Sequence, residues 1–358
     1  MRLTPVPRAA GLRLARDLPR TAGGLPLLAR GATVSDRYIR ALVDHGMRCV
    51  WVEDELSAGI EPPELLPEPE RAGAEAAVRR VHEAARAAYA SSRALPSDAL
   101  RELPGVVAEL VDLAAAAAGT TVGLIDIAPA ERWTHRHPVN RAALGLLLAT
   151  ELFHRHGWVD TTGARQFERA GERLALLGLG LLLADIGNVA VPPEVLNRAG
   201  PPSEGEWALI RRHPDTGVAL LPRSTSARVA DVVAGHHERA DGTGYPQGRT
   251  AENVHQFAAI AAVADVFAAM TAERPYRAAL PPRGAFDAVV HGAGATFDRE
   301  VVSVFRHVVA PHPPGTEVVL ADGREGVVAA VDARTPHVPL VRFADGERRV
   351  DTRTELAA

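Results

Sequence analysis

The stretch His236-His237-Glu238-Arg239-Ala240-Asp241-Gly242-Thr243-Gly244-Tyr245-Pro246 decides how this chain is read. Two adjacent imidazoles are followed by an acid and then by a turn that holds two glycines and closes on Tyr-Pro. Imidazoles side by side are costly to bury unless something positive holds them, and a divalent metal does so. Gly242 and Gly244 allow backbone angles that a Cβ forbids. A metal-bearing helix end that runs into a shaped loop implies a pocket for a charged small molecule.

Composition narrows the setting. A length of 358 residues suggests two or three domains with a sizeable core. Aromatics are only 4%, with alanine and leucine in their place, which favours helices. All 40 basic residues are arginine, and the formal charge of −4 argues against a DNA-binding protein. Attraction for an anion must therefore be local. The single cysteine, Cys49, excludes an intrachain disulfide and a multi-cysteine zinc site, and it fits a cytoplasmic protein. The first residues lack a continuous apolar core, so no signal peptide is expected. The run Leu174–Leu183 is too short to span a bilayer.

Residues 1–62 are expected to form a small α/β unit. Its strands lie around Leu12–Arg16 and Cys49–Val52, with a helix over Val34–His45 between them. Residues 63–127 follow as a Pro-rich linker and Ala-rich helices. Residues 128–311 read as consecutive helices over Asn140–His156, Gln166–Asp185, Ala227–Arg239, Ala258–Ala272, Ala285–Gly292 and Glu300–Val309, with Ser203-Glu204-Gly205-Glu206 opening another in capping style. Residues 312–358 carry short strands separated by Asp322-Gly323 and Asp345-Gly346 turns, a small sheet or open barrel. The fold class is mainly α.

The helical region places His137, Asp185, His213, His236, His237 and Asp265 at or near expected helix ends. A carboxylate closing an apolar helix is poorly solvated, and a metal is a good reason for it. Imidazole and carboxylate without thiolate favour iron, manganese or zinc over calcium. In order, Thr134-His135-Arg136-His137, Asp185-Ile186-Gly187 with Pro192–Gly200, Arg212-His213-Pro214, the opening stretch, and Asp265-Val266-Phe267 with Glu273-Arg274-Pro275-Tyr276-Arg277 resemble the HD-GYP family of the HD superfamily. The resemblance covers about half the chain. It implies an HD-type helical bundle that hydrolyses cyclic di-GMP, or a related phosphate ester, at a centre of two or three divalent transition metals. On that resemblance His137 and Asp265 bind one ion, and His213, His236 and His237 bind a second. Asp185 bridges them as the catalytic carboxylate, and Asn188, Tyr245, Arg274 and Arg277 meet substrate.

The chain also departs from the family. Where the family has paired His-Asp it has Ala184-Asp185, and where the family has a phosphate-facing lysine it has Asn188. Trp133 stands where three-metal members carry an acid. One tight ion and one labile or absent ion are therefore expected, with His135 as a candidate substitute ligand despite pointing elsewhere on a helix. Two functions follow: a cyclic di-GMP phosphodiesterase with impaired activity, or an inactive relative that signals by binding nucleotide, a protein partner or a second copy.

Overall fold

The computed structural model describes residues 1–18, 26–44, 47–122, 133–160, 162–198, 200–272 and 279–357. It is mainly α, with small sheets at either end of the sequence.

The first unit is a three-stranded antiparallel sheet in the order β1 (Arg2–Pro5), β3 (Cys49–Glu53), β2 (Arg13–Leu14), joined by helix α1 (Asp36–Asp44). Val6, Leu14, Val34, Leu42, Val50 and Val52 form its core. Strand β1 was not expected from the sequence. Its Pro5 lacks an N–H, which only an edge strand tolerates, and β1 is an edge. The last part is a four-stranded meander: β6 (Glu317–Val319), β7 (Glu325–Ala330), β8 (Leu340–Phe343) and β9 (Gly346–Arg349). The two sheets touch. Leu3 N–H donates to Gly315 O at 2.9 Å, and Glu317 accepts from Thr4 Oγ1 at 2.8 Å and pairs with Arg2.

Between them lies the helical body. Helices α2 (Glu68–Ala90) and α3 (Leu103–Ala117) pack on α4 (Trp133–His156). Helix α5 (Ala170–Leu183) lies against α3, α4 and α9 (Ala227–Gly235), and α10 (Gln256–Met270) crosses α4 and α9. Helix α4 is buried nearly all round from Arg136 to Phe153, as befits the central helix of a bundle. One apolar cluster runs from Leu65 to Val309, so α2 and α3 share the core of the later helices. The stretch Ala170–Ala190 is long and apolar enough to cross a bilayer by composition, yet Leu177, Leu181, Leu182 and Leu183 are core residues.

Several boundaries differ from the sequence reading; α4, for one, is already helical from Trp133, ahead of Asn140. The helix expected from Gln166 begins only at Ala170: Gln166 lies in strand β5 (Arg165–Gln166), paired with β4 (Trp158–Val159), because the Asp160 carboxylate accepts from Thr162 N and Ala164 N and folds a turn there. Helix α9 stops at Gly235, so His236 and His237 lie just past its end. The Ser203–Glu206 capping box is present and opens α7 (Glu204–Ile210).

Helix α2 brings His82 against His135, ring centres 5.5 Å apart, with its Nε2 buried and unpaired among the described residues. Burial and then the facing His135 hold the His82 pKa down at about 4, against 6.5 in an open chain. Below pH 6.5 the unfolded chain takes the proton first, so stability falls with pH until about pH 4. Replacing His82→Leu should flatten the stability profile between pH 7 and 4 by up to ~3 kcal/mol. Urea unfolding across that range checks it, and a profile parallel to the parent's contradicts it.

Candidate metal centre

Five segments converge. His137 sits near the start of α4. Asp185 follows the end of α5 and opens a 3-10 turn over Ile186–Ala190. His213 is the first residue of α8 (His213–Leu220), His236 and His237 follow α9, and Asp265 lies within α10. Among the described residues two donor groups are close enough to share an ion: Asp185 with His213, His236 and His237, and Asp185 with His137 and Asp265.

The first group is arranged for a cation. His213 Nδ1 faces Ile210 O at 2.7 Å and His236 Nδ1 faces Val233 O at 3.1 Å. A carbonyl only accepts, so both Nδ1 atoms carry the proton and both Nε2 atoms present lone pairs. Those Nε2 atoms face each other at 3.2 Å, with Asp185 Oδ1 3.7 Å from His213 Nε2. Ligand nitrogens ~2.1 Å from a shared ion stand about 3.0–3.4 Å apart, so the spacing fits two ligands of one metal. Burial lowers the pKa of His213 and His237, and burial followed by His213 lowers that of His236 to about 3. Protons therefore compete weakly for these nitrogens.

The second group is arranged differently. Arg141, fully buried and one turn after His137 on α4, puts Nη1 2.5 Å from Asp185 Oδ2 and 2.9 Å from Asp265 Oδ1. Its Nε and Nη2 donate to Leu181 O at 3.0 and 2.7 Å. His137 Nε2 lies 2.8 Å from Asp265 Oδ1 and 3.9 Å from Asp185 Oδ2, while its Nδ1 is buried without a partner among the described residues. Trp133 stacks on the His137 ring at 4.0 Å. Burial alone would raise the carboxyl pKa values. For Asp185, Arg141 with His236 and His213 overrides it, and for Asp265, His137 with His237 and Arg141 does, so both stay ionised.

Other expected site residues find their places. Asn188 Nδ2 donates to Asp185 Oδ1 at 3.0 Å, so one of its two N–H groups is spent on the carboxylate. Ala184 is fully buried beside Asp185. His135 faces His82 and belongs to neither donor group, so it does not replace the missing imidazole; two residues from His137, it points off the site. Tyr245 stacks on His237 at 4.6 Å, and burial pushes its hydroxyl pKa up, so it stays a neutral donor. Arg211 reaches over the Tyr245 ring at 6.0 Å. Arg274 and Arg277 lie outside the described residues.

Three features went unseen in the sequence. Arg141 is one; its signal was the i,i+4 spacing from His137, which puts both on one helix face. Glu238 is another: it is buried, and its carboxylate accepts from Gln247 N at 2.8 Å and Arg249 N at 2.9 Å, pinning the loop. In that loop Gly244, one of the two glycines already singled out in the sequence, has no room for a Cβ, which would lie 2.5 Å from His237 O. The third is Gly187, where a Cβ would lie 1.9 Å from His213 O, so the Asp185 turn can approach α8 only as glycine.

A family model described as "HD domain" matches residues 156–301. Over 223 residues the chain is 35% identical to a cyclic di-GMP phosphodiesterase of Pseudomonas aeruginosa, covering 62% of this chain and 50% of that one. Over 159 residues it is 31% identical to a cyclic di-GMP phosphodiesterase of Thermotoga maritima, covering 42% and 43%. Over 119 residues it is 38% identical to a 3'3'-cGAMP-specific phosphodiesterase of Vibrio cholerae, covering 33% and 26%. The chain thus spans half or less of the length of these relatives.

Substituting Gly187→Ala should force the Asp185 turn from α8, lowering stability by about 1–3 kcal/mol and reducing the metal retained through purification. Denaturant unfolding and elemental analysis measure the two effects; wild-type values in both would show that the contact relaxes freely.

Proposed function

We propose that this chain, which carries an HD-GYP domain, is a metal-dependent phosphodiesterase that opens a cyclic dinucleotide, cyclic di-GMP first among them, at a reduced rate. The observation that carries this reading is the pair of buried Nε2 atoms facing each other at 3.2 Å, each fixed in its tautomer by a backbone carbonyl. Two lone pairs so placed repel unless a cation sits between them. The relatives' names supply the substrate class.

His213, His236, His237 and Asp185 would hold the ion, and three imidazoles with one carboxylate suit iron(II) or manganese(II), with zinc also served. Once bound, such an ion supplies a nucleophilic water near neutral pH and offsets charge on phosphoryl oxygens. The chain's own residues do the rest. Asp185 accepts from Asn188 and Arg141, which fixes the orientation of its carboxylate. Tyr245, backed by His237, offers a flat face on which a base can stack, with the Arg211 guanidinium nearby. Arg274 and Arg277 are assigned to the phosphates, where a guanidinium can fork onto oxygen.

The reduced rate follows from Ala184 and Asn188, where a methyl replaces an imidazole and an amide replaces an ammonium. The same replacements favour a second reading, a non-catalytic protein that binds the nucleotide and signals by it. A cytoplasmic location fits either.

Purified protein loaded anaerobically with iron(II) or manganese(II) should convert cyclic di-GMP to a linear product, followed by chromatography. Asp185→Ala should lower the rate by ~10²–10³. Nucleotide binding with no turnover above that variant would establish the second reading instead.

A further inference from the structure

We infer that the Arg141 guanidinium takes the place of a first metal ion, leaving this chain a mononuclear centre. The inference rests on the preceding reading of His213, His236, His237 and Asp185 as a metal site, and it concerns the other half of the pocket.

One oxygen of each carboxylate that a first ion would use is already taken. Asp185 Oδ2 and Asp265 Oδ1 both lie within hydrogen-bonding reach of Nη1. Leu181 O anchors Nε and Nη2, so the side chain is held by three acceptors and cannot swing aside without stranding them. Arginine is not deprotonated in proteins, so no ordinary pH vacates the position.

His137 gives independent support. A metal-bound imidazole donates its far N–H to an acceptor, as His213 and His236 do through Nδ1. His137 reverses this: its Nδ1 has no partner among the described residues, and its Nε2 is hydrogen-bonded to Asp265. It is set up as a donor to a carboxylate rather than as a ligand.

Ala184 completes the picture, since an imidazole there would have no ion to bind. Fold stability does not explain Arg141, because a buried ion network rarely outperforms apolar packing of similar volume. It is explained by the carboxylates, which need a cation whether or not a metal comes. The substitution changes the charge offered to substrate. Two carboxylates and one guanidinium leave one negative charge; one divalent ion turns that into one positive charge, where two ions without the arginine would leave two.

Wild-type protein saturated with manganese(II) should hold one ion per chain and give the paramagnetic resonance spectrum of an isolated ion. The folded double variant Arg141→Leu/Ala184→His should hold two. His137→Ala alone should leave the wild-type count at one, which a ligand's loss would not. Two ions, or a spin-coupled pair, in the wild type would overturn the inference without help from any variant, should the double variant fail to fold. One ion in the wild type with no gain in the folded double variant would overturn it as well. No tightly held ion in the wild type would remove the metal-site reading itself, and this inference with it.

Discussion

A guanidinium buried between two carboxylates is the contact on which this pocket depends. Arg141 comes from α4, Asp185 from the end of α5 and Asp265 from α10, so one side chain ties three helices together at the base of the site. Its bonds to Leu181 O also close the last turn of α5, where free carbonyls and the helix dipole both favour a cation. The orientation of Asp185 follows from this grip: one oxygen is committed to Arg141, and the other is turned toward His213. Whatever the histidine cluster binds, it binds beside a carboxylate already aimed by the arginine.

The two halves of the pocket use the same residue types under different rules. His213 and His236 are braced from behind by carbonyls, and in front their Nε2 atoms face each other, with Asp185 Oδ1 3.7 Å from that of His213. His137 is satisfied in front by Asp265 and capped by the Trp133 ring, while behind it Nδ1 has no partner among the described residues.

Much of this was legible in the sequence. Helix periodicity located nearly every long helix, because a bundle core imposes a 3.6-residue repeat on leucine and alanine. The six metal-ligand candidates do converge, although Asp265 lies inside α10 rather than near its end as expected, because buried histidines and aspartates on apolar helices need polar partners. What stayed hidden depends on partners distant in the chain. Arg141 looked like one more arginine among 40, and only burial against α5 and α10 distinguishes it. Strand β1 is four residues with a proline, too short to show alternation before β3 pairs with it. Gln166 opens the expected helix in the sequence, but a local Asp160 turn draws it into β5 instead. Glu238 read as a ligand's neighbour, although its work is to hold Gln247 and Arg249.

That last carboxylate has a consequence for how the pocket can change. Through Glu238 the loop bearing Tyr245 is fastened to the same short segment that presents His236 and His237, and Tyr245 N bonds His237 O at 3.1 Å. The two histidines and the Tyr245 ring are thus one mechanical piece, with Gly244 leaving no slack between them. A change in what the pocket admits therefore has to come from exchanged side chains, such as those at positions 211 and 245, because the loop is fastened to the segment that carries the histidines.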